Sequence, residues 1–488
     1  MSAPPAPDSV DPRRAGSAPA SGPYSPAYTR YVLGMVLVTM VFANVDRSIL
    51  SILVAPIKRE FALSDTQMGW LLGPAFALVY TLLALPIGRY ADTVGIRRSI
   101  VAYSLFVWSL FTTAHAFVTS YAWLFLVRMG VGVGEAGGTA PSVSMLADYL
   151  PPSRRARGIS VISIGAVTGM GLGMSVGGWL SEVHGWRWAF AAAGLPGMGL
   201  ALLYRLTIRE PERGASEGRR ASSDDFARNL LSLLRTPTYL CILAGNGVAL
   251  FASMGRNLWE PSFLVRTYEM GEFHAGTWYF LTSPLPSMFG IFLGGWLADR
   301  LGQRDPRWYL RVPAWGQLVS VPVLVAFLLW PESQRLRVPG VAEGSAFAFI
   351  PVALLWSIAG SVLGSFFTAP FISTIQGVSP LRMRAFAAAI SNLISTLIGL
   401  AVGPLLVGVL ADAFAARFGA NALRYSLLVP TTAPLLSSLV CFLGARFVGG
   451  DLVDLAREAF GGLDAAARAA CLGDTARRLW PGLRPEAS

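Results

Sequence analysis

Twelve apolar segments recur along this chain, and they leave few folds open to it. They lie at roughly 31–55, 68–91, 98–118, 121–149, 157–181, 186–208, 238–265, 276–298, 308–330, 346–376, 384–412 and 424–448. Each is long enough to cross about 30 Å of hydrocarbon as a helix. Lipid offers no water to satisfy peptide groups, so spanning segments of this length must close their hydrogen bonds internally, as helices do. The sequence therefore predicts an all-α integral membrane protein with twelve transmembrane helices. Several segments exceed a perpendicular span. Tilts or kinks are expected at Pro74, Pro86, Pro141, Pro284, Pro286, Pro370 and Pro404.

Composition agrees, and it removes several function classes. Only 14% of the 488 residues are charged, against about 25% in soluble domains. The net charge of +11 looks like a nucleic-acid signature until it is located. It is nearly all arginine, Lys58 being the only lysine, and it gathers at one set of helix ends. With flanking residues, the connections after even-numbered segments carry 19 basic residues and those after odd-numbered segments carry 8. By the positive-inside rule both termini are cytoplasmic, in a multi-pass protein of the cell's inner membrane. No nucleic-acid partner is expected. Cys241, Cys441 and Cys471 lie far apart, as do His115, His184 and His274. Neither a disulfide framework nor a metal site is signalled. No nucleotide-binding glycine loop and no nucleophile with a nearby base occurs, so neither an enzyme nor a bound cofactor is expected.

The polar stretches divide the chain. Residues 1–27, rich in Pro, Ala and Ser, read as a disordered cytoplasmic tail. Two six-helix bundles follow, at 28–208 and 238–448, joined by a basic cytoplasmic linker at 209–237. The tail at 449–488 has helical spacing and is expected to form an amphipathic helix on the inner surface. The two bundles echo each other. GRYADTVGIRR (Gly88 to Arg98) follows segment 2 and GWLADRLGQR (Gly295 to Arg304) follows segment 8. Gly88 and Gly295, Asp92 and Asp299, Gly95 and Gly302, Arg97 and Arg304 all stand 207 apart. One offset at matching places in two halves signals duplication and pseudo-symmetry. The first glycine admits a close helix, and the second makes the tight turn. An aspartate at a helix end is suited to cap the N-terminus of a facing helix. With Asp148, at the inner end of segment 4, these residues form an expected inner gate. Gly165, Gly169, Gly173 and Gly177 make a second signal, a stripe for close packing on segment 5.

Charge inside the membrane marks the functional candidates. Arg128 and Glu135 lie two helical turns apart on one face of segment 4, and Asp46 and Arg47 lie in segment 1. Asp46 and Arg128 fall at compatible depths, so a contact between them is expected. Two carboxylates sharing two arginines form a candidate proton-coupling cluster. In the second half Arg256 and Glu260 are spaced for an intrahelical pair. Arg256 is also a candidate ligand for an anionic headgroup, since a guanidinium fork suits carboxylate and phosphate. Asn257 and Asn392 are further candidate cavity residues.

The paired loops and the Arg128 helix resemble the major facilitator superfamily over residues 28–448. Within it, NVDRSIL (Asn44 to Leu50), GVGEAGGTAPSVSMLADYLPPSRRARGISV (Gly132 to Val161) and GWRWAFAAAGLPG (Gly185 to Gly197) are similar to the bacterial branch of the spinster family. That resemblance implies proton-linked alternating-access transport of a lipid-like amphiphile, such as a lysophospholipid or a sphingoid phosphate, by a monomer. It also assigns Asp46, Arg47, Arg128 and Glu135 to the coupling cluster. The organic anion–cation symporters share the Asp-Arg pair of the first helix. A proton-coupled symporter of hexuronate-like anions therefore stands as an alternative, as does a drug or amphiphile exporter. The chain departs from the pattern at Thr93, where a basic residue is usual, and at Met174, where antiporters often have proline.

Overall fold

The computed structural model of the chain describes residues 24–150, 154–211, 233–342, 345, 347–380 and 383–459. The tail expected over 1–27 therefore falls almost wholly outside the described residues, as does most of the linker expected over 209–237. Beyond 459 the expected C-terminal helix is likewise outside them, but its first part, Val448–Ala459, is helical.

Among the described residues the chain crosses twelve times. Crossings 1, 3, 5, 6 and 9 are single helices: Pro26–Ile52, Arg97–Ala114, Arg155–His184, Trp186–Thr207 and Trp308–Leu329. The others are broken. Crossing 2 runs Asp65–Leu72 then Pro74–Val94, and crossing 8 runs Glu272–Thr282 then Pro284–Gly302. Each break stands just before a proline, which lacks the N–H needed to continue the ladder. Crossing 4 (Tyr121–Glu135, Thr139–Tyr149) and crossing 10 (Ala353–Gly364, Thr368–Gly377) break near mid-span, so the duplication seen in the loops extends to helix defects. Crossing 7 is Pro237–Asn257 then Glu260–Tyr268, and crossing 12 is Ala422–Thr432 then Pro434–Gly444. Crossing 11 comprises Arg384–Thr396, a π-helical turn at Leu397–Val402, and Gly403–Phe418. Pro86, an expected kink, lies inside an unbroken helix.

Two boundaries differ from expectation. Crossing 1 starts at Pro26 because Ser25 caps it, accepting from the Tyr28 amide at 3.3 Å. Crossing 10 starts at Ala353, because an antiparallel ribbon of Arg335–Arg337 with Phe349–Pro351 uses the residues before it.

Apolar side chains face outward around the bundle, including Leu82 at 73% and Phe292 at 71% exposure. A surface of that kind suits lipid. Inside, the glycine stripe of crossing 5 lies on the backbone of crossing 1. A Cβ at Gly165 would fall 2.8 Å from Met40 Cβ, and one at Gly173 would fall 2.9 Å from the Val45 carbonyl. Crossing 11 packs on crossing 7 in the same way, with Gly399 against Leu250 and Gly403 against the Phe251 carbonyl.

An even number of crossings puts the start of the first, Pro26, and the end of the last, Gly444, on one face, here the terminal face; the opposite one is the distal face. The two halves meet closely at the distal ends, where Asp65–Leu72 packs on Gly403–Phe418 and crossing 5 packs on Glu272–Thr282.

A candidate transport cavity and its latches

Between the halves lies a cavity of about 560 Å³, within the usual range for small-molecule sites. Leu72, Phe76, Met170, Met174, Met254 and Met288 give it an apolar wall. Arg47 and Arg128 reach it from the first half, and Arg256, Asn257, Gln317 and Asn392 from the second. Every predicted binding residue therefore lines one space. Gln317 was not foreseen. It is 1% exposed, and neither amide atom has a hydrogen-bond partner. A lone amide deep in the largely apolar segment 308–330 was the available signal.

In the first half the geometry corrects the expected pairing. Arg47 Nε donates to Glu135 Oε2, with the Glu135 side chain 1% exposed behind it. Arg128 does not pair with the Asp46 carboxylate. Its Nη1 lies 3.4 Å from the Asp46 main-chain carbonyl. The reason is helical geometry. Neighbouring residues diverge by about 100° around the axis, so Arg47 faces the cavity while Asp46 points into the bundle. Both Asp46 carboxyl oxygens are buried without a hydrogen-bond partner. The two guanidinium groups stand over the Phe76 ring, 5.5 Å (Arg47) and 5.0 Å (Arg128) from its centre, which offsets part of their desolvation.

In the second half Arg256 Nε lies 3.7 Å from Glu260 Oε2, and Arg256 Nη2 donates to Asn257 Oδ1 at 3.1 Å. Asn257 in turn donates to Ser253 at 3.1 Å.

Among the described residues, the inner-gate candidates make their contacts inside their own halves in this state. Arg97 is buried and ties up three elements of its own half. It donates to Asp148 at 2.6 Å, Ser144 at 3.0 Å and Glu210 at 3.1 Å. Gly95 supplies the positive φ of 73° that the preceding turn needs. Gly88 faces Ala140, and Gly295 faces Ala369, so each first glycine packs inside its own half. Asp299 accepts from Tyr309 at 3.0 Å, Gly302 lies against Tyr309, and Arg304 is exposed. The Asp92 side chain lies outside the described set.

The capping chemistry expected at that gate is found at the distal face instead. Asp412, at the distal end of crossing 11, accepts from the amides of Asp65 and Thr66 at 2.9 and 2.7 Å. It thereby caps the first turn of crossing 2, in the other half. Gly408 makes room for this, packing on the Asp65 carbonyl. Asp65 is held further by Lys58 at 2.6 Å and by Arg266, from the other half, at 2.7 and 3.0 Å. A second latch mirrors the first. Glu182 of crossing 5 accepts from the Phe273 amide at the start of crossing 8, at 3.0 Å, and Gly178 packs on the Glu272 carbonyl. Both latches read Gly-x-x-x-acid: GWLSE at Gly178 and GVLAD at Gly408. The second repeats the GxxAD of the two gate loops, a signal the sequence held in plain view.

Comparison with known proteins now fits these features. The Major Facilitator Superfamily profile matches residues 36–404. The chain belongs to the major facilitator superfamily. It is 31% identical over 426 residues to an MFS-type efflux pump of Mycolicibacterium smegmatis, covering 87% of this chain and 94% of that one. Human protein spinster homolog 1 is 27% identical over 457 residues, with 87% and 81% covered. The crystal structure of a bacterial homolog to the human lysosomal transporter spinster, inward-facing and unoccupied, superposes with a TM-score of 0.76. It shares 26% identity, with 88% of this chain and 99% of that chain covered. The transporter is thus a spinster-like member of the superfamily, as its motifs implied.

Proposed function

We propose that this protein is a proton-coupled secondary transporter that carries an anionic, lipid-like amphiphile by alternating access. The observation that carries the reading is the make-up of the cavity. Arg47 and Arg128 face it from one half and Arg256 from the other, beside a wall of methionine, leucine and phenylalanine. A headgroup of phosphate or carboxylate on an acyl chain meets both surfaces. The latched distal face gives alternating access its other requirement, a barrier on one side of the site. The arginine asymmetry assigns the terminal face to the cytoplasm, with the chain in the inner membrane and this state inward-facing. A single chain builds the whole cavity, so a monomer is the working unit. Asp46 and Glu135 are the proton carriers of the first half. Asp46 is buried without a donor, and Glu135 stands behind the arginine that meets the substrate.

The test is uptake into proteoliposomes under an imposed pH gradient. Lysophosphatidate and lysophosphatidylcholine are compared with hexuronate and with ethidium. Gradient-driven movement of the lysolipids is expected, lost in Glu135→Gln and Asp46→Asn at equal amounts of folded protein. A gradient response preserved in both variants would make the cluster structural. Likeness to the mycobacterial efflux pump favours a second reading, export of drug-like amphiphiles. Movement of ethidium without the lysolipids would select it.

A further inference from the structure

The two halves present their cavity arginines alike. Arg47 stands in front of Glu135, and Arg256 stands in front of Glu260. In each pair the acid comes from the same half as its arginine and is sealed from the cavity. Each acid also keeps one oxygen without a hydrogen bond, Oε1 of Glu135 and Oε2 of Glu260. The pairs differ in closeness. Arg47 is hydrogen-bonded to its acid, whereas Arg256 Nε stays 3.7 Å away and its buried Nη1 has no partner.

Glu260 is 0% exposed, and the Ser357 hydroxyl at 3.0 Å is its hydrogen-bond donor among the described residues. The titratable groups that face it are Arg256 from its own crossing and Tyr279 from crossing 8; crossing 10 offers the neutral Ser357. A buried carboxylate with one hydroxyl and one loosely placed cation is poorly compensated. Its cation also lines the cavity and has a free N–H edge.

We infer that Glu260 is a second proton-binding site, and that the anionic group of the substrate competes with it for Arg256. This rests on the cavity being the transport site. When the substrate anion engages Arg256, Glu260 loses its counter-charge. A proton from cavity water then joins Oε2, and the carboxylate becomes a neutral carboxylic acid. When the substrate leaves, the acid returns that proton to water and the ion pair re-forms. The local charge is zero in both states: arginine with carboxylate, or arginine with substrate anion beside a neutral acid. Anion and proton therefore bind together at this site, which favours their movement in the same direction.

Infrared difference spectroscopy on the full-length protein in lipid films tests the exchange directly. Lysophosphatidate is the probe, and a monoacylglycerol of the same chain length is the control without phosphate. The probe should raise a carboxylic C=O band that is lost in Glu260→Gln and kept in Glu135→Gln. Acid alone should raise the same band. In Ser357→Ala the band should persist at a shifted frequency, which shows that it reports Glu260 and that the packing around it survives. Absence of a Glu260 band under both probe and acid overturns the proton site. A band raised by acid but not by the probe, or raised equally by the monoacylglycerol, overturns the competition. Transport of Glu135→Gln under a gradient bears on the first-half cluster alone, so the two readings fail separately.

Discussion

Removing the Asp412 carboxylate should open the distal face. The carboxylate accepts two amides at the start of crossing 2, at 2.9 and 2.7 Å, across the boundary between the halves. Loss of a helix cap costs about 0.5–2 kcal/mol, and loss of an anion at a helix N-terminus about 0.3–1 kcal/mol. Asp412 is partly exposed, so water replaces some of what is lost. The net cost of Asp412→Ala to the latched state is then roughly 1–2 kcal/mol, because the Asp65 and Thr66 amides lose their acceptors there, while the Ser64 cap on Gln67 lies within one half and is kept in both states. That shifts the closed-to-open ratio at this face by about 5- to 30-fold. Asp412→Asn keeps one acceptor oxygen for one of the two amides and loses the charge and the other acceptor, so it should shift the ratio less than Asp412→Ala. The assay is electron–electron distance measurement between spin labels at Arg59 and Ala416, exposed positions on either side of the latch, in a chain freed of its native cysteines. Asp412→Ala should populate longer distances. Glu182→Ala should act in the same direction and add to it, since the two caps share no partner. Distance distributions unchanged by Asp412→Ala would refute the reasoning and leave the closure to Asp65–Arg266, the Glu182 latch and the apolar contacts.

Arg97→Ala should cost about 3–5 kcal/mol of stability, because it takes the buried guanidinium from Asp148 and leaves a gap, although Glu210 keeps the Arg98 amide; thermal unfolding in detergent measures it, and an unchanged midpoint would refute it. Gly169→Val should sharply reduce the yield of folded protein. A Cβ there already falls 2.9 Å from Asn44 Cβ and meets the Val41 carbonyl, and that backbone cannot move aside as a side chain could. A cysteine at Gln303, exposed in the connection between crossings 8 and 9, should escape an impermeant thiol reagent in intact cells and react in opened ones. Labelling in intact cells would invert the orientation.

Apolar length is what made the fold legible. Twelve stretches that can each cross a bilayer, with one loop motif repeated at a fixed offset, leave little freedom in architecture. Local defects were less legible. Pro74 and Pro284 break their helices and Pro86 does not, because tertiary packing decides whether a proline bends a helix or ends it. In the cavity, charged residues were found from their rarity in apolar sequence, which also marks Gln317. Pairing was not legible. Asp46 and Arg47 are neighbours in the chain, and only the rotation of crossing 1 sends one into the cavity and the other into the bundle. The distal latches escaped notice because capping is done by an acid in one half for amides in the other. Sequence names the acid but not the helix end it meets.

Lys58 has a practical consequence. It carries the only lysine side chain in the protein, and its ammonium sits in the distal latch, 2.6 Å from Asp65. An amine-selective ester therefore finds a single ε-amino group along the chain. That group reacts slowly while it is held by the carboxylate and faster once released. The time course of acylation at this one position would report how often the latch is undone, in native protein with no engineered label.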